Sequence, residues 1–309
     1  MSGKKIDVLG IGNAIVDVIA RHDDAFLDRH GLVKGSMQLV DEAGALSLYD
    51  KIGPGIEISG GSAANTIAGI TSLGGSAGYV GKVAKDQIGD VFAHDIRAAG
   101  VAYDTPALDG GPKTARCIVI VSPDGQRTMS TFLGASALLG PDDISEPDIA
   151  GAAITYLEGY LWDRPDAKNA FRKAAQLATR NQAQVALTLS DSFCVDRHRD
   201  SFLALIRDGV DVLFANEAEL LSLYETTSFA DAMAAVAKDC TLAAVTRSEK
   251  GSAIVAGGTV TEVPAQAVDE VVDTTGAGDL YAAGFLFGLA RNKPVAECAR
   301  LGHVAAAEI

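Results

Sequence analysis

From about residue 150 onward, short apolar runs alternate with helical stretches. Residues 154–157, 184–189, 210–214 and 242–246 are rich in Val, Leu and Ala and have strand length. Between them, 166–180, 197–207, 217–224 and 229–238 read as helices. This alternation predicts an α/β fold, a mostly parallel sheet with helices on both faces. Ligands of such sheets sit beyond the carboxyl ends of the strands. The first third reads differently. Residues 36–40, 115–121 and 127–132 look like strands separated by Gly- and Pro-containing turns, notably Pro123-Asp124-Gly125. They are too few for a barrel. A small sheet projecting from the main domain is expected, its strands inserted within roughly 12–42 and 104–133, and such a sheet can close over a ligand as a lid.

The 309 residues are 48% hydrophobic, enough for the core of one large domain. No internal repeat, low-complexity tract or Pro-rich linker divides the chain, so a single domain over 1–309 is expected. Lys and Arg number 26 against 40 Asp and Glu, a formal net charge of −14. So acidic a surface repels phosphate backbones and argues against a nucleic-acid partner. Cys117, Cys194, Cys240 and Cys298 form no CxxC pair and read as buried free thiols in a reducing cytosol. The N-terminus has two lysines and then an apolar stretch, but Asp7, Asn13 and Asp17 interrupt it and no cleavage site stands out. The longest nearly apolar run, 281–290, is too short to span a bilayer. A soluble, cytoplasmic protein is expected, with no membrane partner.

The strongest local signal is Asp273-Thr274-Thr275-Gly276-Ala277-Gly278-Asp279, after which Leu280, Ala283, Gly284 and Phe287 recur at helical spacing. This is a Gly-rich turn entering a helix N-terminus, where free N–H groups and the helix dipole favour an anion. Such a nest can hold the charge of a transferring phosphoryl group. A carboxylate beside it, Asp279, can accept the proton of an attacking hydroxyl. Read alone, the segment is equally a tight turn with Asp279 as a first-turn acid. The chain has no Walker A pattern. Its only dinucleotide-type candidate, Gly10-Ile11-Gly12-Asn13-Ala14-Ile15, lacks the third glycine and makes an oxidoreductase remote.

Asp273–Asp279 followed by Leu280-Tyr281-Ala282-Ala283-Gly284 resembles the C-terminal signature of the PfkB, or ribokinase-type, carbohydrate and nucleoside kinases. Their N-terminal signature is matched by Gly60-Gly61-Ser62-Ala63-Ala64-Asn65-Thr66, continuing to Leu73-Gly74-Gly75 and Gly81-Lys82 through Gly89. Asn216-Glu217-Ala218-Glu219 resembles the family's NxxE motif, and Thr246-Arg247-Ser248-Glu249-Lys250-Gly251 its loop under the ATP phosphates. The resemblance covers nearly the whole chain. It implies a ribokinase-like three-layer domain with a small β-sheet lid, and phosphoryl transfer from ATP with Mg2+. By the same resemblance, Gly276, Ala277 and Gly278 form the anion hole and Asp279 is the base. Asn216, Thr246, Ser248, Gly251 and His303 are implied on the ATP side, with Glu219 reaching the metal through water. Two departures stand out. The family more often has glycine where Ser248 stands, and it usually continues with a further helix segment and strand beyond Glu308-Ile309, so an incomplete C-terminus is expected.

On the acceptor side, the resemblance matches Asp17 to a sugar-binding aspartate, whose carboxylate suits a vicinal diol. Asn13, Gly61, Ser62 and Asn65 are expected to complete that pocket, with Phe132 at the lid edge. The patterns Gly31-Leu32-Val33-Lys34-Gly35-Ser36-Met37 and Gly60–Thr66 resemble the adenosine-kinase branch more than ribokinases. Met37, Leu39, Leu133, Tyr160 and Trp162 are candidates to wall a base site, though each is also a plausible core residue. The expected acceptor is adenosine or a related nucleoside. The alternatives are a free sugar such as ribose or fructose and, of another class, a non-catalytic nucleoside- or sugar-binding regulator. A monovalent cation requirement, and a monomer or a homodimer, are all compatible with the sequence.

Overall fold

The apolar alternation after residue 150 builds most of one large sheet. The computed structural model describes residues 4–268 and 276–308. In chain order the strands are β1 (Ile6–Ile11), β2 (Ile15–Arg21), β3 (Met37–Leu39), β4 (Ile56–Gly60), β5 (Ala77–Val80), β6 (Ala115–Val121) and β7 (Arg127–Phe132). They continue as β8 (Ala152–Glu158), β9 (Gln184–Thr188), β10 (Val212–Asn216), β11 (Leu242–Thr246), β12 (Ser252–Ala256) and β13 (Thr259–Val263). The helices are α1 (Asp24–His30), α2 (Glu42–Tyr49), α3 (Ser62–Ser72), α4 (Gln87–Ala98), α5 (Glu146–Gly151) and α6 (Pro165–Arg180). After these come α7 (Ser192–Gly209), α8 (Glu217–Leu223), α9 (Phe229–Asp239), α10 (Ala277–Ala290) and α11 (Val295–Ala306).

The main sheet runs β13-β12-β11-β10-β9-β8-β1-β5. From β5 to β11 neighbours pair in parallel, and only β12 and β13 are antiparallel. Its strands are buried on both faces, as a parallel sheet between helical layers requires. One layer takes α5 to α9, where Ala170, Phe171, Ala174 and Ala178 of α6 recur at helical spacing against Leu187 and Leu213. The other takes α3, α4, α10 and α11, where Ile67, Phe92, Phe285 and Ala299 meet Val8, Ile154 and Phe214. This is the expected three-layer α/β fold.

The small sheet runs β3-β7-β6-β2-β4. It takes β4, which lies outside the segments expected from sequence, and β2 at its heart. Paired residues share a face. Val18, Ala20, Ile118 and Ile120 on one face are covered by Phe26 and Leu27 of α1 and Leu48 of α2. The opposite face carries the cross-strand row Leu39, Thr131, Cys117, Asp17 and Ile58. Leu39 and Ile58 on that face are exposed. Among the described residues no helix is long and apolar enough to cross a membrane.

Candidate active site

Gly276 opens α10 with φ +80, a left-handed conformation that favours glycine. The Leu280 N–H takes the Gly276 carbonyl, so the N–H groups of Ala277, Gly278 and Asp279 lie ahead of the intrahelical ladder. Space is open around Gly278. Asp279 stands in the first turn. Asp273, Thr274 and Thr275 of the same motif lie outside the described residues.

The second glycine-rich turn, Gly60-Gly61, opens α3. Gly61 has φ +100, and a Cβ there would meet the Asn13 carbonyl oxygen at 2.4 Å, so only glycine fits. Ser62 and Asn65, one helical turn apart, face α10. Ser62 Oγ donates to Asp279 Oδ1 at 2.6 Å and Asn65 Nδ2 donates to Asp279 Oδ2 at 3.1 Å. The sequence assigned both to the acceptor pocket, but in the structure both grip the Asp279 carboxylate. The cause is packing: α3 lies directly along α10, with Gly69 against Leu280 and Ala283. Burial pushes the Asp279 carboxyl up to about 6, against the lowering effect of those two hydrogen bonds.

Asp17 sits within β2, not at a strand end, and no described residue hydrogen-bonds its carboxylate. A Cβ on Gly60 would meet its Oδ2 at 2.4 Å. Burial raises Asp17 to about 6, the charge of Arg127 opposes this, and the charge of Asp279 adds to it. The charge of Asp279 thus reaches Asp17, whose carboxylate lies against Gly60, two residues before the Ser62 that holds Asp279. A carboxyl raised by burial is ionised only above its shifted pKa. If both must be ionised, kcat/KM for the acceptor is expected to fall as pH drops through about 6, at least as steeply as two protons require. A profile flat to pH 5 would remove the pair from the chemistry.

Asn13 is 2% exposed, and protein groups hold its main-chain and side-chain polar atoms. Its N–H and Nδ2 donate to Glu158 Oε1 at 3.3 and 2.7 Å, while its Oδ1 accepts from Ser136 Oγ at 3.0 Å. Its carbonyl accepts from Tyr79 Oη at 2.9 Å. Strand register sets Phe132, the last residue of β7, beside Arg116, while Thr131 lies on the face of Asp17. Phe132 nevertheless borders a cavity of about 370 Å3 with Asn13, Leu39, Leu133 and Tyr160. Trp162 does not reach that cavity. It is fully buried between Phe171 and Phe202, its Nε1 donating to Ser201 Oγ at 2.7 Å. Met37 lies on β3 outside the cavity wall.

Asn216 and Thr246 are paired at the ends of β10 and β11. Asn216 caps α8 reciprocally with Glu219. Asn216 N–H and Nδ2 donate to the two Glu219 oxygens at 2.9 and 2.7 Å, and Glu219 N–H donates to Asn216 Oδ1 at 2.8 Å. Burial lifts Glu219 to about 7, and the nearby charge of Asp191 adds to this. Both its oxygens are engaged, and the described residues offer no cluster of three metal-ligating groups. Ser248 is exposed with φ +52, left-handed for a non-glycine residue. Gly251 is buried, and a Cβ there would meet the Val263 carbonyl oxygen at 2.1 Å, so its glycine serves the β12–β13 backbone rather than a ligand. His303 is also turned inward: its Nε2 bonds Ser252 Oγ at 2.9 Å, its ring meets the Tyr281 ring edge-on, and burial lowers its pKa.

The residue that the sequence reading passed over is Glu158, 1% exposed at the end of β8. Its one sequence signal is a charge closing an otherwise apolar strand.

The family model described as pfkB family carbohydrate kinase matches residues 57–309. The crystal structure of an adenosine kinase from Sinorhizobium meliloti is 55% identical, covers 98% of this chain and 93% of that one, and superposes with a TM-score of 0.91. A probable sugar kinase from Rhizobium etli CFN 42 is 50% identical, covers 98% and 92%, and gives a TM-score of 0.92. Adenosine kinase 2 of Arabidopsis thaliana is 25% identical over 96% of this chain and 91% of its own length.

Proposed function

The chain belongs to the pfkB family of ATP-dependent carbohydrate and nucleoside kinases, and from that premise we propose that it phosphorylates a primary hydroxyl of a nucleoside, adenosine foremost. One observation carries the reading. Asp17, with no hydrogen-bond partner for its carboxylate among the described residues, lies against Gly60, and Asp279, at a helix N-terminus with unladdered N–H groups, is held by Ser62 two residues on, close enough for its charge to act on Asp17. In this reading Asp17 accepts hydrogen bonds from the ribose diol. Asp279 takes the proton of the attacking hydroxyl, and the N–H groups of Ala277 and Gly278 receive the charge growing on the phosphoryl oxygens. Glu219 would be the protein group that reaches a magnesium ion bound with ATP, through water, and the ion would supply neutralisation of phosphate charge. Asn216, Thr246 and Ser248 lie along the phosphates, and the whole chain acts as one catalytic unit with the small sheet as its lid.

The choice of a nucleoside draws on the cavity bordered by Leu39, Leu133 and Tyr160, an apolar wall that a free sugar does not need. It also draws on likeness to an adenosine kinase at 55% identity. The relative called a probable sugar kinase, at 50% identity, supports a free sugar as the competing acceptor. The acceptor site is tested by Asp17→Ala. A hydrogen bond to a charged group contributes about 1.5–3 kcal/mol, so acceptor affinity is expected to fall about 10- to 150-fold while ATP affinity stays within about threefold. Titration calorimetry with each ligand separates the two, and equal losses for both would make Asp17 structural.

A further inference from the structure

The chain passes between the two sheets four times, and groups at or next to three of these crossings, at 12–14, 60–62 and 133–136, connect to one buried carboxylate, Glu158, directly or through Asn13. Glu158 Oε1 accepts from the N–H and Nδ2 of Asn13 in the first crossing. Its Oε2 accepts from the Ala63 N–H at 2.8 Å, in the first turn of α3 just past the second. The third is joined through Ser136, which donates to Asn13 Oδ1. Gly12 is tied to the same point, since a Cβ there would meet Glu158 Oε2 at 2.4 Å. From Ala63 the connection to the chemistry is one residue long. Ser62 and Asn65, on that same turn, hold both oxygens of Asp279.

We infer that Glu158 is a positioning residue: its ionised carboxylate clamps the crossings that carry the small sheet to the turn of α3 that orients Asp279. It touches no reacting atom and acts through Asn13 and Ala63. An ionised carboxylate suits the place because every group bonded to it is an N–H donor and it stands at a helix N-terminus. A protonated carboxyl or an amide brings a donor where only acceptors fit, so one of the three bonds is lost and the turn beneath Asp279 loosens. The ionisable groups that face Glu158 are Asp279 on α10, Tyr79 on β5, Tyr156 on its own strand and Tyr160 on the turn that follows. With no cation in that set and deep burial, its carboxyl is lifted to about 7, so the clamp releases as pH falls through neutrality, before Asp17 and Asp279 protonate near 6.

The inference rests on Asp279 as the base, and the test keeps the two apart. Wild-type, Glu158→Gln and Asp279→Asn enzymes are assayed from pH 5 to 9 with whichever acceptor the wild type phosphorylates. Wild type is expected to show a first decline in acceptor kcat/KM centred near pH 7, followed by the steeper fall near 6. Glu158→Gln is expected to lose about 10- to 100-fold in kcat/KM at pH 8, the scale of a small misplacement of reacting groups. It should keep its KM for ATP within about threefold and lack the first decline. A residue needed only for folding would lower the melting temperature without removing that limb. A Glu158→Gln enzyme whose kcat/KM at pH 8 stays within about threefold of wild type overturns the inference. So does a Glu158→Gln enzyme with the wild-type profile beside an inactive Asp279→Asn enzyme. Asp279→Asn turnover near the wild-type rate instead removes the base itself.

Discussion

Asp279→Asn is expected to lower kcat by about 10²–10⁴-fold, the range of a lost general base, while ATP and acceptor still bind. The amide keeps the size of the carboxylate and can still meet Ser62 and Asn65, which hold the wild-type oxygens at 2.6 and 3.1 Å. It cannot take the proton of an attacking hydroxyl. The substitution also removes a charge that burial makes unfavourable, as its rise to about 6 records, so no loss of fold stability should accompany the loss of rate. Single-turnover kinetics with both ligands saturating is the appropriate check. Turnover within a few-fold of wild type would take Asp279 out of the reaction.

Adenosine is expected to be phosphorylated with about 30- to 150-fold higher kcat/KM than ribose or fructose. A purine face laid against the Leu39, Leu133 and Tyr160 wall removes ~100 Å2 of largely apolar surface, which at ~25 cal/mol per Å2 contributes about 2–3 kcal/mol. That free energy converts to the stated preference. 2′-Deoxyadenosine should be a poor substrate, because a missing hydroxyl leaves Asp17 short of a hydrogen-bond partner in a half-buried position. Initial rates across the three acceptors and the deoxynucleoside decide it, and ribose turned over as well as adenosine would contradict the base slot.

The second half of the fold was legible because its strands are buried on both faces and its helices have one apolar side. Periodicity there maps directly onto structure. The helix expected at 197–207 matches the part of α7 after His198, where non-helical backbone joins it to a shorter helical segment from Ser192 that the sequence did not reveal. The small sheet was harder to read. In β4, Ile56 and Ile58 are exposed while Glu57 and Ser59 are more covered, the reverse of the usual alternation. The β12–β13 hairpin went unread although Gly257-Gly258 marks its turn. At the site, motif spacing identified the two glycine-rich turns but not their meeting. Ser62 and Asp279 are 217 positions apart, and only the packing of α3 on α10 joins them. The same applies to Glu158, whose partners come from the β1–β2 crossing and α3, and to Asn13, Gly251 and His303, which burial turns inward.

The account stands most directly on what the purified protein makes from ATP, magnesium and an equimolar mixture of adenosine, ribose and fructose. The measurement is product identity by mass, with ADP release followed in parallel. Adenosine monophosphate as the dominant product, formed in step with ADP and absent with Asp279→Asn, is the predicted result. Sugar phosphate formed in preference to adenosine monophosphate, or ADP release with no phosphorylated acceptor, would contradict it.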